Sequence, residues 1–90
     1  MMLSISSPSD ISDYLAARLK IKRKWLGHSR AEAAEYSAVP APTIGRFEDS
    51  GEISLRQLLM LCQTYDDLDS FPKLFSIPPA KTMDKFLKLF

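Results

Sequence analysis

The chain of 90 residues contains few of the residues on which whole classes of proteins depend. Its one cysteine, Cys62, cannot form a disulfide within the chain, so we expect a reducing compartment, the cytoplasm. His28 is its one histidine, and no spacing of metal-ligating residues or placeable Ser/His/Asp set accompanies it. No glycine-rich phosphate loop is present either. We therefore expect a protein that is not an enzyme and that binds no metal or cofactor.

Long hydrophobic runs are also missing. Charged residues interrupt the apolar segments, so we expect no membrane-spanning helix. The first ten residues have neither a basic region nor a long apolar stretch, and we expect no signal peptide. Apolar residues still make up 46% of the chain, which suffices for one compact domain. Because no segment alternates apolar and polar residues with a period of two, the predicted fold class is all-α.

The net charge is only +1, but the charges are unevenly distributed. Between residues 14 and 31 there is no acidic residue and there are six basic ones: Arg18, Lys20, Lys22, Arg23, Lys24 and Arg30. Such a segment is either an electrostatic footprint for phosphate groups or a solvated helix face. Composition alone leaves both interpretations open.

Capping residues and apolar spacing predict five helices within residues 10–75. Ser9 or Asp10 caps the first helix, which Gly27 ends. Ser29 and Glu32 have the spacing of a capping box and start the second helix. The third runs from 41 to 49, and the fourth follows Ser54 with an apolar stripe that we assign to Leu55, Leu58, Leu59 and Cys62.

The fifth predicted helix spans residues 67–75 and contains Pro72, so the sequence leaves open whether it is one helix or two turns. Residues 76–90 form an extension, in which an extended linker with Pro78 and Pro79 precedes a short C-terminal helix. This extension and the fifth helix carry apolar residues that the predicted core does not use. We assign to them a contact with a second copy or a partner protein, through Leu68, Phe71, Phe75, Phe86 and Phe90. A tail that folds back on its own core, or stays disordered, is the alternative.

Two prolines at the start of the third helix fix its direction. Pro40 falls at the N-cap and Pro42 at the second helical position, where the backbone N–H has no intrahelical acceptor. Val39, Ile44 and Phe47 are predicted to face the core. The residues predicted to face outward are Ala41, Pro42, Gly45 and Arg46. The short residues at the start of this face allow a close approach of the backbone to a ligand.

The segment SRAEAAEYSAVPAPTIGRFEDSGEISLRQLLML, residues 29–61, resembles the helix-turn-helix of the lambda-repressor-like (XRE) regulators. The matching features are Ala34, Val39, Thr43-Ile44, Arg46-Phe47-Glu48, the Gly51 turn and the leucine-rich fourth helix. Arg30, Ala33 and Ala38 depart from the family pattern, which has Gln, Leu and Gly there. If Ala38 adopts positive φ, it costs about 1–2 kcal/mol.

The resemblance implies a five-helix domain that places its third helix in the major groove of DNA. Arg46 then donates to guanine, unless it is a solvated charge, and Ala41 and Pro42 contact a thymine methyl or admit the backbone. Four residues are assigned to phosphate contacts: Ser29, Arg30, Lys24 and Thr43. The alternative for the Thr43 hydroxyl is a structural role at the start of the third helix. The family also pairs Arg23 with Glu48, in a structural role.

The partners implied are double-stranded DNA with a palindromic operator and a second copy of the chain. The GEISL segment and the proline-containing tail are similar to HipB-like antitoxins, which implies repression of a toxin–antitoxin operon and a kinase-like (HipA-type) toxin as partner. A second hypothesis keeps the fold but not the DNA: a protein-interaction module that binds and neutralises a partner protein. Ala41 and Pro42 have no side-chain donors with which to read bases, which favours this alternative. The basic first helix, together with Arg30 and Arg46, favours DNA binding.

Overall fold

The structure is a computed structural model that describes residues 7–77 and Lys88. Throughout residues 7–77 the regular elements are helices, which confirms the all-α prediction for this part of the chain. They are α1 (Pro8–Trp25), α2 (Arg30–Ser37), α3 (Ala41–Ser50), α4 (Leu55–Thr64) and a 3₁₀ helix (Leu68–Lys73). The C-terminal helix predicted after the proline linker, with Phe86 and Phe90, lies outside the described residues.

Helix α1 begins earlier than the sequence predicted. Its N-cap is Ser7, whose hydroxyl accepts a hydrogen bond of 3.1 Å from the backbone N–H of Asp10. The assignment of the cap to Ser9 or Asp10 was wrong, because Pro8 occupies the first helical position without losing a hydrogen bond. At the other end, Gly27 takes a φ of 78° just after the helix, as its predicted role at the helix end requires.

The predicted starts of α2 and α3 are confirmed. Ser29 and Glu32 form both hydrogen bonds of a capping box, each 3.0 Å long. Pro40 is the N-cap of α3 and Pro42 lies in its first turn. Between the two helices Ala38 has a φ of 64°, the left-handed conformation that the family's glycine would adopt at no steric cost.

The core lies where α3 packs against α1 and α2. Its largest fully buried side chains are Phe47, Ile44, Leu61 and Val39. The inward orientation predicted for Val39, Ile44 and Phe47 is therefore correct. The smaller buried residues Ala16 and Ala33 let the helices approach closely, and Tyr65 completes the cluster.

Two helix assignments need correction. In α4 the buried leucine is Leu61, whereas Leu55 is 66% exposed and Leu59 and Cys62 are half-buried. The inward face follows Leu58, Leu61 and Tyr65 at helical spacing. The fifth helix is shorter than predicted and is a 3₁₀ helix with Pro72 inside it, since proline has no N–H for an α-helical hydrogen bond.

Gly51 joins α3 to α4 at a point of close approach to α1. Its φ is 76°, a conformation that costs little only for glycine. A Cβ atom there would lie 2.9 Å from Asp13 Oδ1 and 3.2 Å from Ser12 Cβ. Gly51 therefore fixes the end of α3 against α1 by conformation and by lack of volume.

Candidate nucleic-acid interface

Helices α2 and α3 pack against each other and, with the turn between them, residues 38–40, are here called the α2–α3 unit. Buried Ser37 fixes the turn, because its hydroxyl donates to Ala33 O at 2.7 Å and accepts from Val39 N at 3.1 Å. Sequence reasoning did not single out Ser37. A serine at the last helical position directly before a left-handed residue was the available signal.

The outer side of α3 carries the side chains predicted to contact DNA, with Thr43 assigned to a phosphate and the others to bases. Pro42 and Arg46 are exposed, and Ala41 and Thr43 are half-buried. Gly45 was predicted on this side, but the structure corrects that prediction: Gly45 is buried under the guanidinium of Arg30. A Cβ at Gly45 would lie 3.0 Å from Arg30 Nη1, so the glycine makes room for that side chain.

Arg46 does not extend into solvent without a partner. Its Nη2 lies 2.6 Å from Oε2 of Glu52, in the turn after α3, and both side chains are exposed. The two residues, together with Thr43 and Gln57, line a shallow depression of about 370 Å³. Sequence reasoning missed this pair, because the left-handed Gly51 is what brings Glu52 back towards α3.

Glu48 joins α1, α2 and α3 through a buried ion pair. Its two oxygens accept from Arg23 Nε at 2.7 Å and Arg23 Nη2 at 2.8 Å, and Arg30 Nε reaches Oε1 at 3.2 Å. The side chain of Glu48 has no exposed surface and that of Arg23 is 6% exposed. The pairing expected from the family resemblance is therefore present in the structure.

The electrostatics of this pair follow from its burial. Burial alone would raise the pKa of Glu48, but the hydrogen bonds and charges of Arg23 and Arg30 outweigh it and hold that pKa below its ordinary value. The pKa of Arg23 is raised, first by its hydrogen bonds to Glu48. Arg23 also donates from Nη1 to His28 O at 2.8 Å, which ties α1 to the start of α2.

The predicted phosphate contacts lie around the N-terminus of α2. Ser29 caps the helix, Arg30 is its first residue, and Lys24 is exposed in the last turn of α1. Arg30 also contacts an acid at the surface, since its Nη2 lies 3.4 Å from Asp49 Oδ1. The two arginines of the α2–α3 unit are thus each paired with an exposed acid.

His28 serves a packing role that the sequence did not specify. Its Nδ1 lies 3.1 Å from the hydroxyl of Tyr65, and its ring lies 4.8 Å from that of Tyr36. Burial raises the pKa of Tyr65, so its hydroxyl stays protonated at neutral pH. Burial likewise raises the pKa of the half-buried Cys62, which makes that thiol less reactive.

The residues assigned to a dimer or partner contact are spread over two environments. Leu68 and Phe75 are exposed, while Phe71 is half-buried and lines a groove beside α1. Within residues 7–77 and at Lys88, no cluster of three or more metal-ligating side chains occurs. The same residues include no helix with the length and apolar character needed to cross a membrane.

No protein-family model, curated protein or solved structure matches this chain. The function of the α2–α3 unit is therefore argued from its own residues and geometry.

Proposed function

We propose that the protein is a sequence-specific DNA-binding transcriptional regulator of lambda-repressor-like architecture, acting in the cytoplasm as a homodimer on palindromic DNA. One observation carries the proposal. A turn of residues 38–40, with left-handed Ala38, joins α2 to α3 and leaves the start of α3 with short or exposed side chains. Helix-turn-helix proteins use this arrangement to insert the second helix into the major groove.

In this proposal α3 reads the base edges. Arg46 offers two donors to O6 and N7 of guanine, a contact that contributes about 1–3 kcal/mol of discrimination. Ala41 and Pro42 contact a thymine methyl or admit the backbone to the groove. Thr43 lies beside them and donates to a phosphate or a base edge.

The ion pair of Arg46 with Glu52 does not prevent this contact. Both side chains are exposed, and such pairs contribute only about 0.2–1 kcal/mol. A bidentate contact with guanine is worth more, so Arg46 exchanges one partner for the other at a net gain. In the free protein Glu52 holds Arg46 beside α3, which limits the conformations that binding must order.

Phosphate contacts come from the N-terminus of α2 and the end of α1. Arg30 and Lys24 supply the positive charge, and the Ser29 hydroxyl, which accepts from Glu32 N, still has its proton to donate to a phosphate oxygen. Arg30 can turn from Glu48 to a phosphate at little cost. Arg23 still donates two hydrogen bonds to Glu48, so the buried carboxylate keeps its counter-charge.

A narrower proposal follows from the resemblance to HipB-like antitoxins. The protein would then repress its own toxin–antitoxin operon and bind a kinase-like (HipA-type) toxin. This proposal is supported by the sequence pattern of the GEISL turn and the tail. Co-purification with the product of the adjacent gene tests it.

The second candidate function is a protein-interaction module that does not read DNA. The pairs Arg46–Glu52 and Arg30–Asp49 favour it, because they reduce the positive potential of the surface that would face phosphates. The two candidates differ in their salt dependence. DNA binding releases one counterion per neutralised phosphate, whereas a mixed-charge protein interface lacks that steep dependence.

The experiment measures binding of the full chain to duplex DNA from upstream of its own gene, by fluorescence anisotropy at increasing salt. A DNA-binding regulator loses affinity steeply, and Arg30→Ala and Lys24→Ala each flatten the logarithmic slope by about one. Lys73→Ala, an exposed lysine on the 3₁₀ helix, is the matched control and leaves the slope unchanged. Salt-independent binding, or slopes that neither variant alters, would favour the protein-interaction module.

A further inference from the structure

A second surface is a groove between α1 on one side and α4 with the 3₁₀ helix on the other, whose lining also includes the core residues Phe47, Leu61 and Tyr65. We call it the α1–α4 groove, and its volume is about 550 Å³. Trp25 and Ile21 on its α1 wall are 81% and 68% exposed. Leu58 and Phe71 are half-buried on the opposite wall. Its charged lining residues are Arg18, Lys22 and Asp67, of which Lys22 and Asp67 pair with each other at 3.0 Å.

After Phe75, Trp25 and Ile21 are the most exposed large apolar side chains within residues 7–77. Trp25 and Ile21 are four residues apart on α1 and therefore lie on one face of it. An exposed apolar face bordered by charged groups is characteristic of an interaction surface. Because these residues belong to neither the core nor the proposed DNA contact, the groove needs an occupant of its own.

The chain itself carries a segment with the required chemistry. Met83, Phe86, Leu87 and Phe90 recur at the spacing of one helical face, so residues 83–90 have an apolar stripe. On the same helical wheel, at about 100° per residue, the lysines fall on the opposite side: Lys81, Lys85 and Lys88. Lys88 is exposed in the structure.

The length and charge of residues 83–90 also suit the α1–α4 groove. Two helical turns are about 12 Å long and present one apolar stripe, which suits a groove walled by two helices. Asp66 and Asp69 are exposed next to the groove residues Asp67 and Ser70. The lysines of the segment lie on the side away from the groove, so these acids attract them at long range and form no direct ion pairs with them.

We propose that the α1–α4 groove binds residues 83–90 of a second copy of the chain, in a reciprocal exchange. The path of the described chain favours a second copy over the same one. After Phe71 the chain continues with exposed Leu74, Phe75 and Ile77, none of which lines the groove. Two prolines follow, and a proline pair favours an extended backbone at residues 78–79.

Exchange in both directions gives a closed two-fold dimer. The inference rests on the proposed function only for the use of two copies on a palindromic site. The dimer itself follows from the groove and the segment, and it is tested without DNA.

The test uses the full chain and its single tryptophan, Trp25, as a reporter within the groove. Molecular mass by light scattering and Trp25 emission are measured over a dilution series. The proposal predicts a dimer with blue-shifted Trp25 emission at high concentration. On dilution, the mass should fall to that of the monomer and the emission should shift to the red, both over the same range of concentration. Phe86→Glu should weaken the dimer about 10- to 100-fold and red-shift the emission, with unchanged helical circular dichroism.

Leu89→Glu is the matched control, because it places the same charge in the same segment but off the apolar stripe. It should keep the mass and emission of the unmodified chain. Blue-shifted emission in a monomer at every concentration would show that the chain's own tail fills the groove. A dimer that Phe86→Glu leaves intact would show a different interface. Either outcome overturns the proposal, and neither affects the salt test of DNA binding.

Discussion

At the scale of single residues, Glu48 is the buried side chain that links α3 to both α1 and α2. Its carboxylate has no exposed surface and accepts hydrogen bonds from arginines of two other helices, Arg23 on α1 and Arg30 on α2. A buried ion pair adds little compared with an apolar replacement of the whole pair. Removal of one partner is costly, however, because the other charge stays buried without compensation.

Glu48→Gln is therefore expected to lower the free energy of unfolding by about 3–5 kcal/mol at neutral pH. The side chain keeps its size but loses the charge that balances Arg23. Urea unfolding followed by circular dichroism measures the effect. Glu35→Gln, at an exposed position of α2, is the control and should change stability by less than about 0.5 kcal/mol. Equal effects of the two variants would show that the buried pair contributes no stability.

The same pair predicts a pH dependence. Because the pKa of Glu48 is lower in the folded state, the unfolded chain takes up its proton first on acidification. The stabilisation is complete above the unfolded pKa of about 4.3 and is lost as the pH falls through the lower folded pKa. Glu48→Gln should be less sensitive to pH than the unmodified chain in that window. The opposite result would mean that the folded carboxylate is not stabilised.

At the scale of the helices and turns, two glycines with the same conformation have different surroundings. Gly27 and Gly51 both have positive φ, 78° and 76°. No atom lies within 4 Å of a Cβ built at Gly27, whereas one built at Gly51 would collide with Ser12 and Asp13 of α1. Alanine substitutions at these two glycines therefore separate the free-energy cost of the left-handed conformation from that of steric crowding against α1.

Gly27→Ala should destabilise the protein by about 1–2 kcal/mol, the cost of a left-handed alanine. Gly51→Ala should cost about 1–3 kcal/mol more, because α3 and α1 must move apart to admit the methyl group. Thermal and urea unfolding of both variants measure the difference. Equal losses would mean that α1 does not pack against the end of α3 as described.

The features of these helices that the sequence predicted correctly depend on residues close together in the chain. The capping box at Ser29 and the prolines at the start of α3 act within a few residues of themselves, and both predictions are confirmed. The inward face of α4 was misassigned since leucines surround most of that helix, so its periodicity is ambiguous. Burial of Leu61 rather than Leu55 is decided by packing against α2 and the core.

Contacts between distant residues were the least predictable part of the candidate site. Gly45 is buried because Arg30, fifteen positions earlier, folds over it, and no local pattern encodes that contact. The pair Arg23–Glu48 was expected only from the family resemblance, not from spacing. The pair Arg46–Glu52 depends on the left-handed conformation of Gly51; the sequence indicated a turn there but not its consequence for Arg46.

At the scale of the whole molecule, the two proposed surfaces divide the work of a regulator. In these proposals the α2–α3 unit would present α3 to DNA, and the α1–α4 groove would pair two copies so that two such helices could read two half-sites. The net charge of +1 is low for a DNA-binding domain, so in the proposed function affinity would depend on a few well-placed cations and on dimerisation. Arg46 is the cation that we propose recognises sequence.

The most direct measurement compares Arg46→Ala with the unmodified chain on two duplexes: the best site selected from a random pool by the unmodified chain, and a scrambled version of it. We predict a loss of about 1–3 kcal/mol in binding free energy on the selected site and a much smaller loss on the scrambled one. Unfolding by urea should be unaltered, because the Arg46 side chain is exposed. An equal loss on both duplexes, or no preference by the unmodified chain, would contradict the claim that α3 reads DNA sequence.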